Sequence, residues 1–372
     1  MKEDNLFERY GRQMILKGFG EANQQKLLQA KVLVVGAGGL GCPALQYLAA
    51  AGIGTIGIVD NDAVSLSNLH RQVLYTTDDI GLPKAEVAAS RLRRVNPQIK
   101  IVSYTIRLNV SNALDTIREY DLVIDGTDNF ASRYLVNDAC GILNKPLVYG
   151  AVSQYEGQVA VFNVSDKKGH KVNYRDVFPA SPKNGEVANC EQAGVLGVLP
   201  GIIGTMQAAE AIKLITGIGK PLLNKLLTYN VLTNEIYDVH LTVSSAGKGL
   251  APQDEASFLA MDYSDGCRAE EGTVVEIDAE QFKGISKKPS AVVIDVREWG
   301  ESPLLSNFDY QQIPMSVFRE NIAAIKADTI ILFCQHGIRS LYAAEIVEEV
   351  FGTTKNVYSL KGGIVKWSDE LV

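Results

Sequence analysis

At 372 residues the chain is long enough for two or three domains of roughly 150 residues each, and 46% hydrophobic with 21% charged residues is ordinary for a soluble globular protein. The formal net charge of −7 argues against nucleic acid as a partner, because that role calls for a basic footprint. It does not speak to small anions, which answer to local charge.

In chain order, Met1-Lys2-Glu3-Asp4-Asn5 has no apolar core segment, so no secretory leader is expected. Residues 1–30 read as helical and carry Arg9-Tyr10-Gly11-Arg12-Gln13. An apolar strand, Lys31–Val35, runs into Gly36-Ala37-Gly38-Gly39-Leu40-Gly41, then an Ala/Leu helix, then the strand Thr55–Asp60. That order is a nucleotide-binding βαβ unit, whose glycines permit a tight turn and let phosphates approach a helix N-terminus. Asp60, about 20 residues on, is placed to accept hydrogen bonds from ribose hydroxyls. The glycines alone suggest a nicotinamide-dependent oxidoreductase. The next segment favours ATP: Asp62, Ser67-Asn68-Leu69-His70-Arg71-Gln72 and Lys84 bring two cations toward the phosphate end.

Further on, Pro83–Val95 reads as a helix, Lys100–Leu108 and Asp121–Asp125 as strands, Asp128–Leu143 as a helix, and Pro146–Val152 and Gly157–Val164 as strands. The alternation predicts a mostly parallel sheet covered by helices. Ser165–Asn189, with Pro179, Pro182, Asn184 and Gly185, reads as a long irregular loop leading to Cys190. The longest apolar run, Val195–Ile215, contains Pro200, Gln207, Glu210 and Lys213, so it is read as a buried core helix and not as a membrane span. Lys225–Leu241 alternates like antiparallel strands. The composition then shifts, predicting a domain over 1–245, a linker over 246–272 and a second domain over 273–372.

That second domain predicts strands at Val274–Ile277, Ala291–Asp295, Thr329–Phe333 and Val357–Leu360 and a helix at Arg339–Val350. Cys334-Gln335-His336-Gly337-Ile338-Arg339-Ser340 lies between strand and helix, where backbone N–H groups form an anion-favouring cradle. Asp295-Val296-Arg297-Glu298 is placed to brace it. The five cysteines are odd in number, far apart and without a CxxC pair, which excludes a disulfide framework and favours a reducing cytoplasm. Cys42 and Cys140 lie in apolar helical stretches and read as structural; Cys267, in the linker, reads as incidental.

Taken together, Arg9–Gln13, GAGGLG at 36–41, Asp60-Asn61-Asp62, SNLHRQ at 67–72, Lys84 and Thr127-Asp128-Asn129 resemble the ubiquitin-activating superfamily. Within it they are most similar to the MoeB/ThiF-type adenylyltransferases, which activate the sulfur-carrier proteins of molybdopterin and thiamine synthesis. The resemblance runs over residues 5–240, and Asn189–Gly197 matches the same family's cysteine motif. CxxGxRS, DVRE and LKGG…W (Leu360 to Trp367) resemble the rhodanese family.

The resemblance implies a Rossmann-like α/β adenylation domain with a mostly parallel sheet, followed by a small α/β rhodanese domain. It implies ATP and Mg²⁺, with Arg71 and Lys84 neutralising phosphates and Asp128 holding the metal. Gly39, Asp60, Asp62, Ser67, Asn68, Leu69, His70 and Gln72 would position the nucleotide, and Asn129 would support it. Arg12 resembles an arginine finger supplied by a second subunit, which implies a homodimer. Cys334, beside Arg339, would carry sulfur as a persulfide, and Cys190 would either release the thiocarboxylate or hold an acyl thioester. The partners implied are a ubiquitin-like sulfur carrier ending in Gly-Gly and a cysteine desulfurase as sulfur donor. In isolation Arg12 would be a solvated surface arginine, Asp128 a helix N-cap and Lys84 an exposed lysine; their register with the glycine loop favours the site reading.

Two departures stand out. MoeB-type proteins hold zinc with two CxxC pairs. Here Asn173 and Asp176 stand where the first would fit, and Val243–Gly249 has no cysteine, so no structural zinc is expected. The segment from Trp299 to Pro314 departs from the usual rhodanese spacing. The expected function is ATP-dependent adenylylation of the carrier's terminal glycine, then sulfur transfer from the persulfide. An NAD-dependent oxidoreductase would leave Arg71, Lys84 and the Cys334 loop without a role. A non-catalytic dimeric scaffold is separated from the enzyme by the activity of a Cys334→Ala variant. Adenylylation of a tRNA base is disfavoured by the acidic charge.

Overall fold

The computed structural model describes residues 3–181, 194–244, 247, 249–263, 274–301, 303, 305–335 and 337–367. Val32, Leu33, Val34 and Val35 are all buried. A strand that is apolar on both faces belongs in the middle of a covered sheet, and β1 (Lys31–Val35) pairs in parallel with β2 (Thr55–Val59) on one side and β4 (Leu122–Asp125) on the other. With β3 (Lys100–Tyr104), β5 (Leu147–Ser153), β6 (Glu156–Phe162), β7 (Lys225–Asn230) and β8 (Glu235–His240), they form an eight-stranded sheet of order β3-β2-β1-β4-β5-β6-β7-β8. β3 to β5 are parallel neighbours, and β5 to β8 pair antiparallel. The chain leaves β1 toward β2 and β3 and returns on the other side as β4. A crevice therefore opens at the carboxyl ends of β1 and β4, the switch point where such sheets bind ligands.

Helices Gly41–Ala51 and Lys84–Val95 cover one face, and Phe130–Ile142 covers the other. Val198–Thr216 is long and apolar enough to cross a membrane by length and composition, yet its polar residues face inward. Gln207 Nε2 donates to Asp125 O at 2.6 Å, and Glu210 Oε2 accepts from Leu222 N at 2.9 Å. Gly204 permits this packing, since a Cβ there would stand 2.1 Å from the Leu40 carbonyl oxygen.

Three expected boundaries move for physical reasons. β3 ends at Tyr104, and Ile106-Arg107-Leu108 leave the sheet to line the crevice. The long loop contains the capped turn Tyr174–Val177. Tyr174 is buried among Tyr134, Tyr149, Phe162 and Phe178 with ring centroids 5.0–5.9 Å away, and Arg175 forks onto buried Asp138 (Nη2–Oδ2 2.7 Å). The stretch expected to link the domains holds a helix, Glu255–Leu259, capped by Asp254. Phe258 is wholly buried in the first core and the Tyr263 hydroxyl donates to Asp138 Oδ2 at 2.8 Å. The chain accordingly divides into compact units at Gly266/Cys267.

The second unit is a five-stranded parallel sheet, order β11-β10-β12-β13-β9, built from β9 (Val275–Ile277), β10 (Ala291–Asp295), β11 (Gln311–Gln312), β12 (Thr329–Phe333) and β13 (Asn356–Leu360). β12 is buried along its whole length and points its carboxyl end at Cys334.

Candidate active site

The crevice beyond β1 and β4 has a volume of about 350 Å³. Its floor depends on two glycines. Gly36 has φ +91°, and a Cβ there would stand 2.7 Å from Gly126 O; a Cβ on Gly41 would stand 1.9 Å from Gly36 O. Only backbone fits where the loop after β1 passes between Gly126, beyond β4, and the start of the next helix. Behind the loop, the Tyr75 hydroxyl donates to Ala37 O at 2.8 Å. Cys42 is buried with Sγ 3.3 Å from the same oxygen; burial pushes its thiol up to about 12, which suits a structural cysteine.

Gly39, Asp60, Asp62, Arg71, Gln72, Lys84, Asp128 and Asn129 all line this crevice. Asp60 fastens the loop: Oδ2 accepts from Ala37 N and Oδ1 from Asp62 N, both at 2.8 Å. Burial raises its carboxyl pKa, opposed by the charge of Lys84. Lys84 is 5% exposed, not the solvated lysine its helix-start position suggests. Its Nζ lies 2.9 Å from Asp62 Oδ2, whose side chain is 62% exposed. Arg71 Nη1 donates to Ser67 O at 3.1 Å. Gln72 is buried, and its Oε1 has no hydrogen-bond partner among the described residues.

Ser67, Asn68, Leu69 and His70 are not on the wall; they build the turn that presents Arg71 and Gln72. The backbone N–H groups of Arg71 and Gln72 donate to Asn68 O at 3.1 and 3.0 Å, and Asn68 Oδ1 accepts from Ser65 N at 3.2 Å. On the opposite wall the helix starts at Phe130 because Asn129, not Asp128, is its cap: Asn129 Oδ1 accepts from Ser132 N at 2.9 Å. Asp128 is exposed on the crevice with the Asn129 amide 3.4 Å away.

Arg133 also lines the crevice although nothing in the sequence singles it out. It lies one turn beyond Asn129 on the same helix face, buried, with its guanidinium over Phe130 at 5.5 Å and Tyr149 at 5.8 Å. Arg12 is not part of this wall. Its neighbours dock their helix, with Tyr10 OH accepting from Asn96 Nδ2 at 2.7 Å and Gln13 Nε2 donating to Ala51 O at 3.0 Å, while Arg12 stays exposed. Cys190 and Cys267 lie outside the described residues.

In the second unit Cys334 is 1% exposed and accepts a hydrogen bond at Sγ from Gly337 N at 3.1 Å. Ser340 Oγ lies 3.6 Å from Sγ and accepts from Ser359 Oγ at 2.9 Å. Gly337 (φ +89°) and Gly363 (φ +62°) let the cradle close, since a Cβ on Gly363 would stand 2.5 Å from the Gln335 backbone. Arg297 is buried and forked onto Asp295 (Nη2–Oδ2 2.7 Å), with Nη1 donating to Pro303 O at 2.9 Å. Arg339 Nη1 and Nη2 reach Glu301 Oε1 and Oε2 at 2.6 and 2.7 Å.

The two sites define an α/β protein that pairs a crevice lined by Arg71, Lys84 and Asp128 with a cysteine held in a backbone cradle. The ThiF family model matches residues 10–248 and the rhodanese-like domain model residues 278–370; the chain belongs to the ThiF family and carries a C-terminal rhodanese-like domain. It is 40% identical over 367 residues to the "Probable adenylyltransferase/sulfurtransferase MoeZ" of Mycobacterium tuberculosis, covering 98% of this chain and 93% of that one. It is 54% identical over 226 residues to the sulfur carrier protein adenylyltransferase of Thermus thermophilus, covering 60% and 83%. Among solved structures, E. coli MccB with AMPCPP and MccA matches with TM-score 0.55 and 26% identity, over 66% of this chain and 75% of that one.

Proposed function

We propose that this chain uses ATP to adenylylate the C-terminal glycine of a ubiquitin-like sulfur-carrier protein and then delivers sulfur from Cys334, leaving a thiocarboxylate. The observation that carries this reading is one crevice holding Arg71, Lys84 and Asp128 at the β1/β4 switch point, in a chain that also cradles Cys334. The relatives named for adenylyltransferase and sulfurtransferase activity and the MccB structure with AMPCPP support it.

In the first step a carboxylate oxygen attacks the α-phosphorus, the bond to the bridging oxygen breaks, and pyrophosphate leaves with the electron pair. Arg71 and Lys84 stabilise the departing charge, and the chemistry is positioning and electrostatics with no protein nucleophile. Asp128, an exposed carboxylate on the crevice wall beside the Asn129 amide, suits a hard cation, and Mg²⁺ held there would neutralise phosphate oxygens. In the second step the terminal sulfur of the Cys334 persulfide attacks the acyl carbon and AMP leaves. Attack by a thiolate on Cys334 Sγ then frees the thiocarboxylate and leaves a disulfide, which a cellular thiol reduces. Cys190 is the thiolate this reading assigns, with an acyl thioester on Cys190 as its variant.

The homodimer reading rests on Arg12, exposed on a helix that also presents Phe7 to solvent (60% exposed), with Ile15 (69%) and Leu16 (58%) just beyond it. A persulfide carried by a cysteine desulfurase is the donor proposed. The free thiols of Cys42, Cys140 and Cys334 among the described residues support a cytoplasmic setting as part of this reading. We assign no structural zinc, because Asn173 and Asp176 are engaged in hydrogen bonds of their own. The test is to incubate the protein with ATP and candidate carriers and weigh the carriers. Arg71→Ala should abolish both the AMP adduct and the oxygen-to-sulfur exchange, and Cys334→Ala only the exchange. Loss of both in Cys334→Ala contradicts the division of labour.

A further inference from the structure

The second unit places two arginines near Cys334 and ties both to carboxylates. Arg297 is buried against Asp295 and contributes no open charge. Arg339, in the first turn of the helix that follows Cys334, is gripped through both terminal nitrogens by Glu301. Glu301 is itself fixed, its Oε1 accepting from Glu298 N at 2.7 Å, and Glu298 is anchored in turn, its Oε2 accepting from Ser316 Oγ at 2.7 Å. A small doubly charged sulfur donor drawn toward Arg339 meets a guanidinium already held by Glu301.

We propose that Glu301 is a specificity-determining residue. By masking Arg339 it biases Cys334 against small anionic donors such as thiosulfate and toward a persulfide borne on a thiol. The inference rests on the reading of Cys334 as a sulfur carrier. In the favoured loading step the Cys334 thiolate attacks the outer sulfur of the donor persulfide. The donor S–S bond breaks, a new S–S bond forms on Cys334, and the electron pair departs with the donor thiolate. With thiosulfate the same attack expels sulfite. Neither step needs an oxidant.

The experiment measures loading of Cys334 in the full chain from thiosulfate and from the persulfide of 2-mercaptoethanol. Glu301→Gln should raise kcat/KM for thiosulfate about fivefold, mainly through KM, because a partly exposed ion pair is worth up to about 1 kcal/mol. Loading from the mercaptoethanol persulfide should stay within about twofold, well inside that same range. Arg339→Ala added to Glu301→Gln should erase the gain. A merely structural Glu301 would lower both rates together, and that outcome overturns the inference. Salt gives a second reading on the unaltered chain. Its kcat/KM for thiosulfate should not fall as ionic strength rises, whereas a steep fall would reveal an open cation at the rim. Wild type that loads from neither donor overturns the sulfur-carrier reading and this inference with it. Loading from both, with preference unchanged by Glu301→Gln, overturns the inference alone.

Discussion

The backbone N–H of Ser244 donates to Asp176 Oδ1 at 2.7 Å, while Asp176 Oδ2 accepts from Asn173 N at 2.7 Å. One carboxylate thus joins the long loop after β6 to the segment after β8, where the resemblance would place a thiolate zinc. Asn173 adds a bond from its Nδ2 to Asn163 Oδ1 at 2.8 Å and accepts from Asn137 Nδ2 at 2.9 Å. Asp176→Ala should therefore lower unfolding free energy by about 2 kcal/mol, the range for hydrogen bonds to a charged group. EDTA should leave the unfolding midpoint of the nucleotide-free protein unchanged. A midpoint that drops on chelation would mean that a metal, not Asp176, holds these segments.

Asp138 should matter more. It takes Nε and Nη2 of Arg175 at 2.7–3.1 Å and the Tyr263 hydroxyl at 2.8 Å. Arg175 is only 7% exposed. Removing the carboxylate strands a buried guanidinium, and breaking such pairs from one side costs about 3–5 kcal/mol. Urea unfolding of Asp138→Ala should show a loss larger than that of Asp176→Ala. The reverse order would mean that the Arg175 charge finds water readily.

Much of this was legible in the sequence where one local rule sufficed. β1 is apolar on both faces and so reads as a central strand, and Gly36 and Gly41 stand where only glycine fits. What was not legible depended on groups distant in the chain. Lys84 reads as a site residue from its register with the glycine loop, but its burial follows from Asp62, which meets it through both backbone and side chain. Arg133 carries no signature because a lone arginine in a helix looks like surface until Phe130 and Tyr149 are seen beneath it. Counting prolines and glycines made Ser165–Asn189 a featureless loop and hid Tyr174, whose ring completes an aromatic cluster drawn from three other elements. The helix at Glu255 carries its own local signal: Asp254 caps it, and Phe258 supplies the buried anchor.

Glycine geometry gives a prediction with an internal control. Gly41→Ala places a Cβ 1.9 Å from a carbonyl oxygen, whereas Gly201→Ala meets nothing within 4 Å. The first should cost about 2 kcal/mol or more of stability and abolish nucleotide binding in a calorimetric titration. The second, within a helix, should be neutral or stabilising by up to about 1 kcal/mol. Retained binding in Gly41→Ala would show that the start of the helix Gly41–Ala51 has room to move away from the Gly36 carbonyl.

Lys84 and Asp62 separate charge from architecture. Lys84 is buried and Asp62 largely exposed, so the pair is asymmetric: water can replace Asp62, but nothing else described supplies the Lys84 charge at that point of the crevice. Lys84→Met keeps the aliphatic stem and removes the cation. It should slow formation of the carrier–AMP adduct by about a hundredfold, the usual loss when one preorganised electrostatic group is deleted. Asp62→Asn should leave that rate within about fivefold, since an ion pair with one exposed partner is worth little. Rapid-quench measurement of adduct formation at saturating ATP distinguishes the two. If Asp62→Asn proves the more damaging change, the lysine serves only to hold the Asp62 turn, and the cation acting on the departing pyrophosphate must be sought at Arg71, Arg107 or Arg133.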